Sequence, residues 1–158
     1  MSDTLQDLAI RAALIDNYNR YAQGLDSKDW SMVRGCFSDE IYIDYGPLSA
    51  PTGDPAVPRR ADDWMTYLQY VIHQFDITQH TITNHRVSIV GHEVSCRAYL
   101  NADHVKFDDP AVRVVAPDNV VTVVGEYNNH YRQEDGAWKI CRSELVVNWS
   151  AGNMALFS

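Results

Sequence analysis

Along the first part of the chain, apolar positions recur at threes and fours. Leu5, Leu8, Ala12, Ile15, Tyr18, Ala22 and Leu25 mark one face of a helix over residues 4–24, with Ser2, Asp3 and Thr4 as candidate caps. Ser27 can cap a short second helix through Asp29, Trp30, Met32, Val33 and Phe37, whose acidic first turn suits the helix dipole. The run Ile41 to Tyr45 is β-branched and aromatic and ends at Gly46-Pro47, so it reads as a strand. Helical spacing returns in Trp64, Tyr67, Leu68, Val71, Ile72 and Phe75, predicting a third helix over 61–75. After Asp76 the pattern turns extended. Residues 77–90, 93–107, 120–132 and 137–149 read as four strands, separated by Gly91-His92, a long acidic loop and the Glu134-Asp135-Gly136 turn.

Helices first and a meander afterwards predict an α+β fold: a cone-shaped α+β barrel with three N-terminal helices packed on a strongly curved antiparallel sheet. Strands this long exceed the usual ~5–6 residues, so the sheet must coil and bulge, and a coiled sheet with helices across its mouth encloses a pocket. No repeat or linker divides the chain, and residues 1–158 are read as a single domain. Alternation assigns the faces of the strands. His104 shares parity with Cys96, Ala98, Leu100 and Ala102, while Tyr127 and Asn129 share it with Val121 and Val123, leaving His130 outward. In the strand from Ile77, His80 and Val87 have opposite parity, and one bulge would bring both inward.

Composition narrows the class of function. With 46% hydrophobic and 22% charged residues the chain can bury a core, which excludes disorder. Its 21 acidic against 13 basic residues give a net charge of −8, which opposes nucleic acid and anionic membrane surfaces as partners. Cys36, Cys96 and Cys141 are scattered and odd in number, and the N-terminus lacks the basic start of a signal peptide, so the expected location is cytoplasmic. No stretch approaches the ~18 apolar residues of a membrane span.

Candidate chemistry comes from side chains. HExxH, GxGxxG, Walker and GxSxG motifs are missing, and His80 and His85, five apart in an extended segment, point to opposite faces; neither a metal nor an organic cofactor is expected. Nine tyrosines and four tryptophans offer amphipathic walls for a flat, hydroxylated small molecule. Tyr21, Tyr45, Tyr127 and Trp149 are the pocket candidates, with Trp30, Trp64 and Trp138 assigned to the core. Arg59-Arg60 reads as a solvated pair, with binding of an acidic group at the mouth as the alternative. The loop 108–118 is the natural lid or interface segment. On position alone Asp26 is a solvated turn carboxylate, because it follows the first helix, where the dipole disfavours negative charge.

The run Tyr21-Ala22-Gln23-Gly24-Leu25-Asp26-Ser27-Lys28-Asp29-Trp30 resembles the helix-end motif of SnoaL-like proteins in the nuclear transport factor 2-like superfamily, and within it the scytalone dehydratase and bile-acid dehydratase branch. Ile43-Asp44-Tyr45, Thr78-Gln79-His80, Ala102-Asp103-His104 and Asp135 to Ile140, continuing to Trp149, agree in order and spacing. The resemblance implies that Asp26 and His80 pair, that His104 is a second titrating group, that Tyr45 holds a water or substrate oxygen, and that Tyr21 matches a tyrosine of the bile-acid branch. Leu25 stands where scytalone dehydratase has a tyrosine, and Tyr127 where it has an asparagine, with Asn129 two residues on. The implied activity is a cofactor-free lyase acting by acid/base elimination on an aromatic or polycyclic molecule, including carbon–carbon cleavage with loss of formaldehyde. An isomerase or cyclase of the ketosteroid-isomerase or polyketide-cyclase type and a non-catalytic ligand-binding subunit are the alternatives. A homo-oligomer, trimer or dimer, through the outer sheet face is expected.

Overall fold

The buried stripe of the first helix runs through Ile10, Leu14, Tyr18, Tyr21 and Leu25, whereas Leu5, Leu8 and Ile15 of the predicted stripe are exposed. In the computed structural model, which describes residues 2–158, this helix (α1) spans Ser2–Ser27. It begins earlier than expected, so the candidate caps Ser2, Asp3 and Thr4 lie within it, and Met1 before it lies outside the described residues. Residues 4–9 are all exposed, which is why the apolar pattern there does not mark the packed face.

α1 also ends later than its pattern implied. Lys28 adopts φ +56°, its N–H bonds the Leu25 carbonyl and the Asp29 N–H bonds the Gly24 carbonyl. That is a Schellman closure with lysine in the left-handed position usually given to glycine. Asp26 therefore sits in the last helical turn rather than beyond it. Asp29, not Ser27, caps the next helix, α2 (Trp30–Arg34), by accepting the Met32 N–H.

Six strands follow: β1 (Phe37–Asp44), β2 (Arg59–Arg60), β3 (Ile77–Val90), β4 (Glu93–Val105), β5 (Val120–Glu134) and β6 (Ala137–Gly152), with α3 (Ala61–Ile72) between β2 and β3. They form one curved sheet in the order β2-β1-β6-β5-β4-β3. β3 to β6 is the predicted meander. β1, however, lies parallel to β6, with Ile43 opposite Ser143. The hairpins had already set the direction of β6, and its free edge is the one β1 joins, so the sheet is antiparallel except at this pair.

Four register shifts bend the sheet: those between Thr83 and Arg86, Val124 and Gly125, and His130 and Tyr131, and one in the β1–β6 pair between Phe37 and Tyr42. The first is the bulge expected in β3: Asn84 has φ +55°, His80 faces inward before it, and Val87 packs on the core after it. At Gly125 a Cβ would collide with the Val146 carbonyl, so β5 and β6 approach there as only glycine permits. The core fills the concave side, where Leu14, Tyr18, Phe37, Ile41, Trp64 and Ile140 are almost fully buried. On the convex side Glu126 pairs with Arg86 and Arg97. No helix among the described residues is long and apolar enough to cross a membrane.

Candidate active site

The last turn of α1 meets the start of β3. Asp26, at the unfavourable end of the helix dipole, is compensated by three donors from that strand. Thr78 Oγ1 donates to Oδ1 at 2.9 Å, the His80 backbone N–H to Oδ2 at 2.9 Å, and His80 Nδ1 to Oδ1 at 2.7 Å. Burial pushes the Asp26 carboxyl up, but the hydrogen bonds and charge of His80, with the Thr78 hydroxyl, outweigh it and hold the group below its ordinary value. A carboxylate can only accept, so Nδ1 of His80 carries a proton and Nε2 is the ring atom left for the cavity that His80 lines.

His104 enters from β4, opposite Val121 of β5. Its ring stands 5.4 Å from that of His80 at 81°, and 5.1 and 4.9 Å from Phe75 and Phe157. Burial, then the charge of His80, lowers its pKa to about 4, against weaker opposition from the Val121 carbonyl. His104 is therefore neutral at pH 7. Its Nδ1 donates to the Val121 carbonyl at 3.4 Å, leaving Nε2 as an acceptor. A depressed histidine contributes stability that is present above the unfolded value of 6.5 and is lost as pH falls toward 4. The span corresponds to about 3 kcal/mol at most. Chemical denaturation from pH 7 to pH 4 is expected to give a steeper loss of stability for the parent than for His104→Gln; parallel curves would contradict the assignment.

Tyrosines form the next wall. Tyr45 OH lies 2.9 Å from Ser143 Oγ, which donates to Asn129 Oδ1 at 2.6 Å, while Asn129 Nδ2 reaches Tyr131 OH at 3.5 Å. The single hydroxyl hydrogen of Ser143 is committed to Asn129, so Tyr45 must donate to Ser143. Tyr21 OH, 3.4 Å from Tyr45 OH, is then the donor of that pair, free to turn toward a bound molecule. Burial raises the pKa of Tyr21, Tyr45 and Tyr127, with Tyr127 and Tyr45 adding to the effect at Tyr21, so these phenols stay protonated.

These groups surround one cavity of about 360 Å³. Tyr21, Tyr45, Tyr127, His80 and His104 are among the residues that supply its polar atoms, together with Tyr67 and Ser158. Leu25, Leu68, Ile72, Leu100, Val123 and Leu145 are among its apolar walls, and Pro47, Leu48, Pro51, Phe157 and Ser158 complete it. Two expectations need correction. Trp149 is 53% exposed and not part of the cavity: the register shift beside Gly125 sets it opposite Val124, on the convex face. Asn129 is buried behind the wall and reaches the cavity only through Ser143 and Tyr45. Trp64, assigned to the core, is both buried and a cavity wall. The loop 108–118 contributes no lining residue; the turn Met154–Phe157 places Phe157 against His104 instead.

Ser143 and Phe157 were missed for different reasons. The shift between His130 and Tyr131 separates buried Ile140 from Ser143 and Leu145, so alternation counted on from Ile140 would place Ser143 on the outer face. Phe157 follows the strand pattern in a short turn, where only the Asn153 cap signals structure. Among the described residues, no group of three His, Cys, Asp or Glu side chains is placed to hold a metal ion.

A family model described as SnoaL-like domain matches residues 6–144. The chain belongs to the SnoaL-like domain family. This SnoaL-like protein is similar to a scytalone dehydratase of Colletotrichum orbiculare, 30% identical over 156 residues, covering 93% of this chain and 76% of that protein. It is also similar to scytalone dehydratase arp1 of Aspergillus fumigatus, 25% identical over 152 residues, covering 90% of this chain and 82% of that protein. Among solved structures, the Kfla4162 protein of Kribbella flavida superposes with a TM-score of 0.76 at 25% identity, covering 95% of this chain and 97% of that one. The cone of the nuclear transport factor 2-like fold is thus the scaffold on which the SnoaL-like protein holds its histidines and tyrosines.

Proposed function

We propose that this protein, as one SnoaL-like domain over 1–158, is a cofactor-independent lyase that carries out acid/base elimination on an aromatic or polycyclic small molecule. The observation that carries the reading is the His80–Asp26 pair opening onto a cavity walled by aromatic and apolar side chains and neutral phenols. Similarity to two scytalone dehydratases supports the dehydratase type. Nε2 of His80 takes a proton from the carbon next to the departing group, while Asp26 stabilises the imidazolium that forms. The electron pair of the C–H bond becomes the new double bond and the C–O bond breaks. The leaving oxygen takes a proton from Tyr21, so hydrogen and hydroxyl depart as water and the imidazolium restores the phenol. Neutral His104 accepts a hydrogen bond from a substrate hydroxyl, and Tyr45 orients Tyr21. If the base takes the proton of a hydroxymethyl group instead, its oxygen forms the carbonyl of formaldehyde, the electron pair of the broken carbon–carbon bond becomes the new double bond, and the departing hydroxyl leaves as water with the proton from Tyr21.

An isomerase or cyclase using a carboxylate base ranks second, because no side-chain carboxylate lines the cavity among the described residues and Asp26 is engaged by His80. The reading includes a cytoplasmic setting and a homo-oligomer, trimer or dimer, over the convex face, where Tyr99, Val146 and Trp149 are exposed. The test is incubation of the purified protein with scytalone and a panel of hydroxylated aromatics, read by mass spectrometry. Loss of water or formaldehyde is expected. A mass-neutral product would favour the isomerase, and retention of a compound without turnover would favour the binding subunit.

A further inference from the structure

A second hollow, of about 480 Å³, adjoins the main cavity. Pro51, Trp64 and Tyr67 line both, so the two hollows meet along these three side chains. Trp64 and Tyr67 stack with ring centres 5.7 Å apart at 30°, and Tyr70, one turn on, is exposed on the same side. A flat group would find an aromatic floor there.

Arg59 borders this hollow, and its surroundings are unusual for a cation. Nη1 donates to Thr52 Oγ1, and Nη2 to the Asp54 and Ile43 carbonyls at 3.1 and 3.4 Å. Nε is buried and has no acceptor. Arg34 and Arg60 meet carboxylates, but among the described residues Arg59 forms no ion pair, and Asp63, which also borders the hollow, does not reach it. Burial disfavours the guanidinium charge, opposed only in part by Asp54. A half-buried cation whose hydrogen bonds go to neutral oxygens alone, with Asp54 acting only through its field, has room for a hydrogen-bonded counter-charge, and in a chain of net charge −8 carboxylates are abundant elsewhere.

We propose that the hollow at Arg59 receives a carboxylate of the substrate, whose aromatic body reaches past Trp64 and Tyr67 into the main cavity. The proposal rests on the reading of that cavity as a site for aromatic small molecules and adds an acidic substituent to the substrate class. The charge then selects among aromatics, while the histidines act on the part lying in the cone.

Calorimetric titration of the whole protein with 2-naphthoate and its neutral isostere 2-naphthamide tests this without requiring turnover. The expected result is naphthoate binding about tenfold or more tightly than the amide, since a hydrogen bond to a charged group is at stake. Raised salt should narrow the gap. Arg59→Met should bring naphthoate down to the affinity of the amide and leave the amide within about twofold, as expected for a neutral probe that does not use the charge. Equal affinities in the parent protein, or an Arg59→Met variant that weakens both probes alike, would overturn the proposal, the latter assigning Arg59 to holding the loop from Gly46. Should Arg59→Met fail to fold, Arg59→Lys serves, with partial retention of the preference expected and full loss of binding to both probes counting against it. Because the readout is binding, charge preference without any lyase product would refute the proposed reaction and leave this inference standing.

Discussion

Replacing His80 with alanine lowers kcat/KM by about 10² to 10⁴, the usual contribution of a positioned acid or base. The loss falls on kcat, because the imidazole is one small part of a cavity that binds mainly through aromatic and apolar walls. The fold survives. The side chain is buried but lines the cavity, so its loss enlarges a space that already exists, and its backbone N–H keeps its bond to Asp26 Oδ2. Steady-state kinetics on the compound found by the mass-spectrometric screen, with circular dichroism as the folding control, measure this. A His80→Ala protein that stays folded and turns over at the parent rate would remove His80 as the base.

Asp26→Asn acts on both activity and stability. The amide keeps one acceptor oxygen where the carboxylate offered two, yet Thr78 Oγ1, the His80 N–H and His80 Nδ1 all donate to this group. At least one donor is left facing an NH₂ or unpaired, at a cost of about 1–3 kcal/mol. Asp26 is held below the ordinary carboxylate value, so its contribution to stability is present above about pH 4, the unfolded range, and disappears as pH falls through the lower folded value. The variant is expected to be less stable than the parent at pH 7, with the two converging below about pH 4 in denaturant titrations. In the proposed mechanism Asp26 positions His80, so kcat should fall at nearly constant KM as the tautomer of His80 loses its guide. A KM increase at constant kcat would assign Asp26 to binding instead.

Much of this arrangement could be read from local pattern. The boundaries of β3 came directly from its alternation, and parity put His104 and Tyr127 on the concave side, where both are buried. The need for one bulge in β3 followed from the conflict between His80 and Val87, and the shift beside Asn84 resolves it. The motif through Asp26 carried the family. Where expectation failed, a partner distant in sequence decided. Trp149, expected in the pocket as an aromatic at the end of the last strand, lies on the other face because the register with β5 slips just before it, and a slip of one inverts every later side chain.

Asp26 is the clearest case of the division. Taken alone, a carboxylate at a helix C-terminus belongs in water, and only β3, more than fifty residues away, brings the donors that make it a half-buried partner for histidine. His104 was expected to titrate, and the structure sets its direction: Phe75, Phe157 and His80 close around it, and desolvation keeps it neutral. The hydroxyl hydrogen of Tyr45 is likewise committed by Ser143 and Asn129 on other strands. Local pattern settles the order of elements, the faces of the unbroken strands and which side chains are candidates for the site, because periodicity and motif are local. Which of those side chains meet, which are charged and where their protons point were decided by the tertiary structure, because solvation and hydrogen bonding depend on neighbours that only folding assembles.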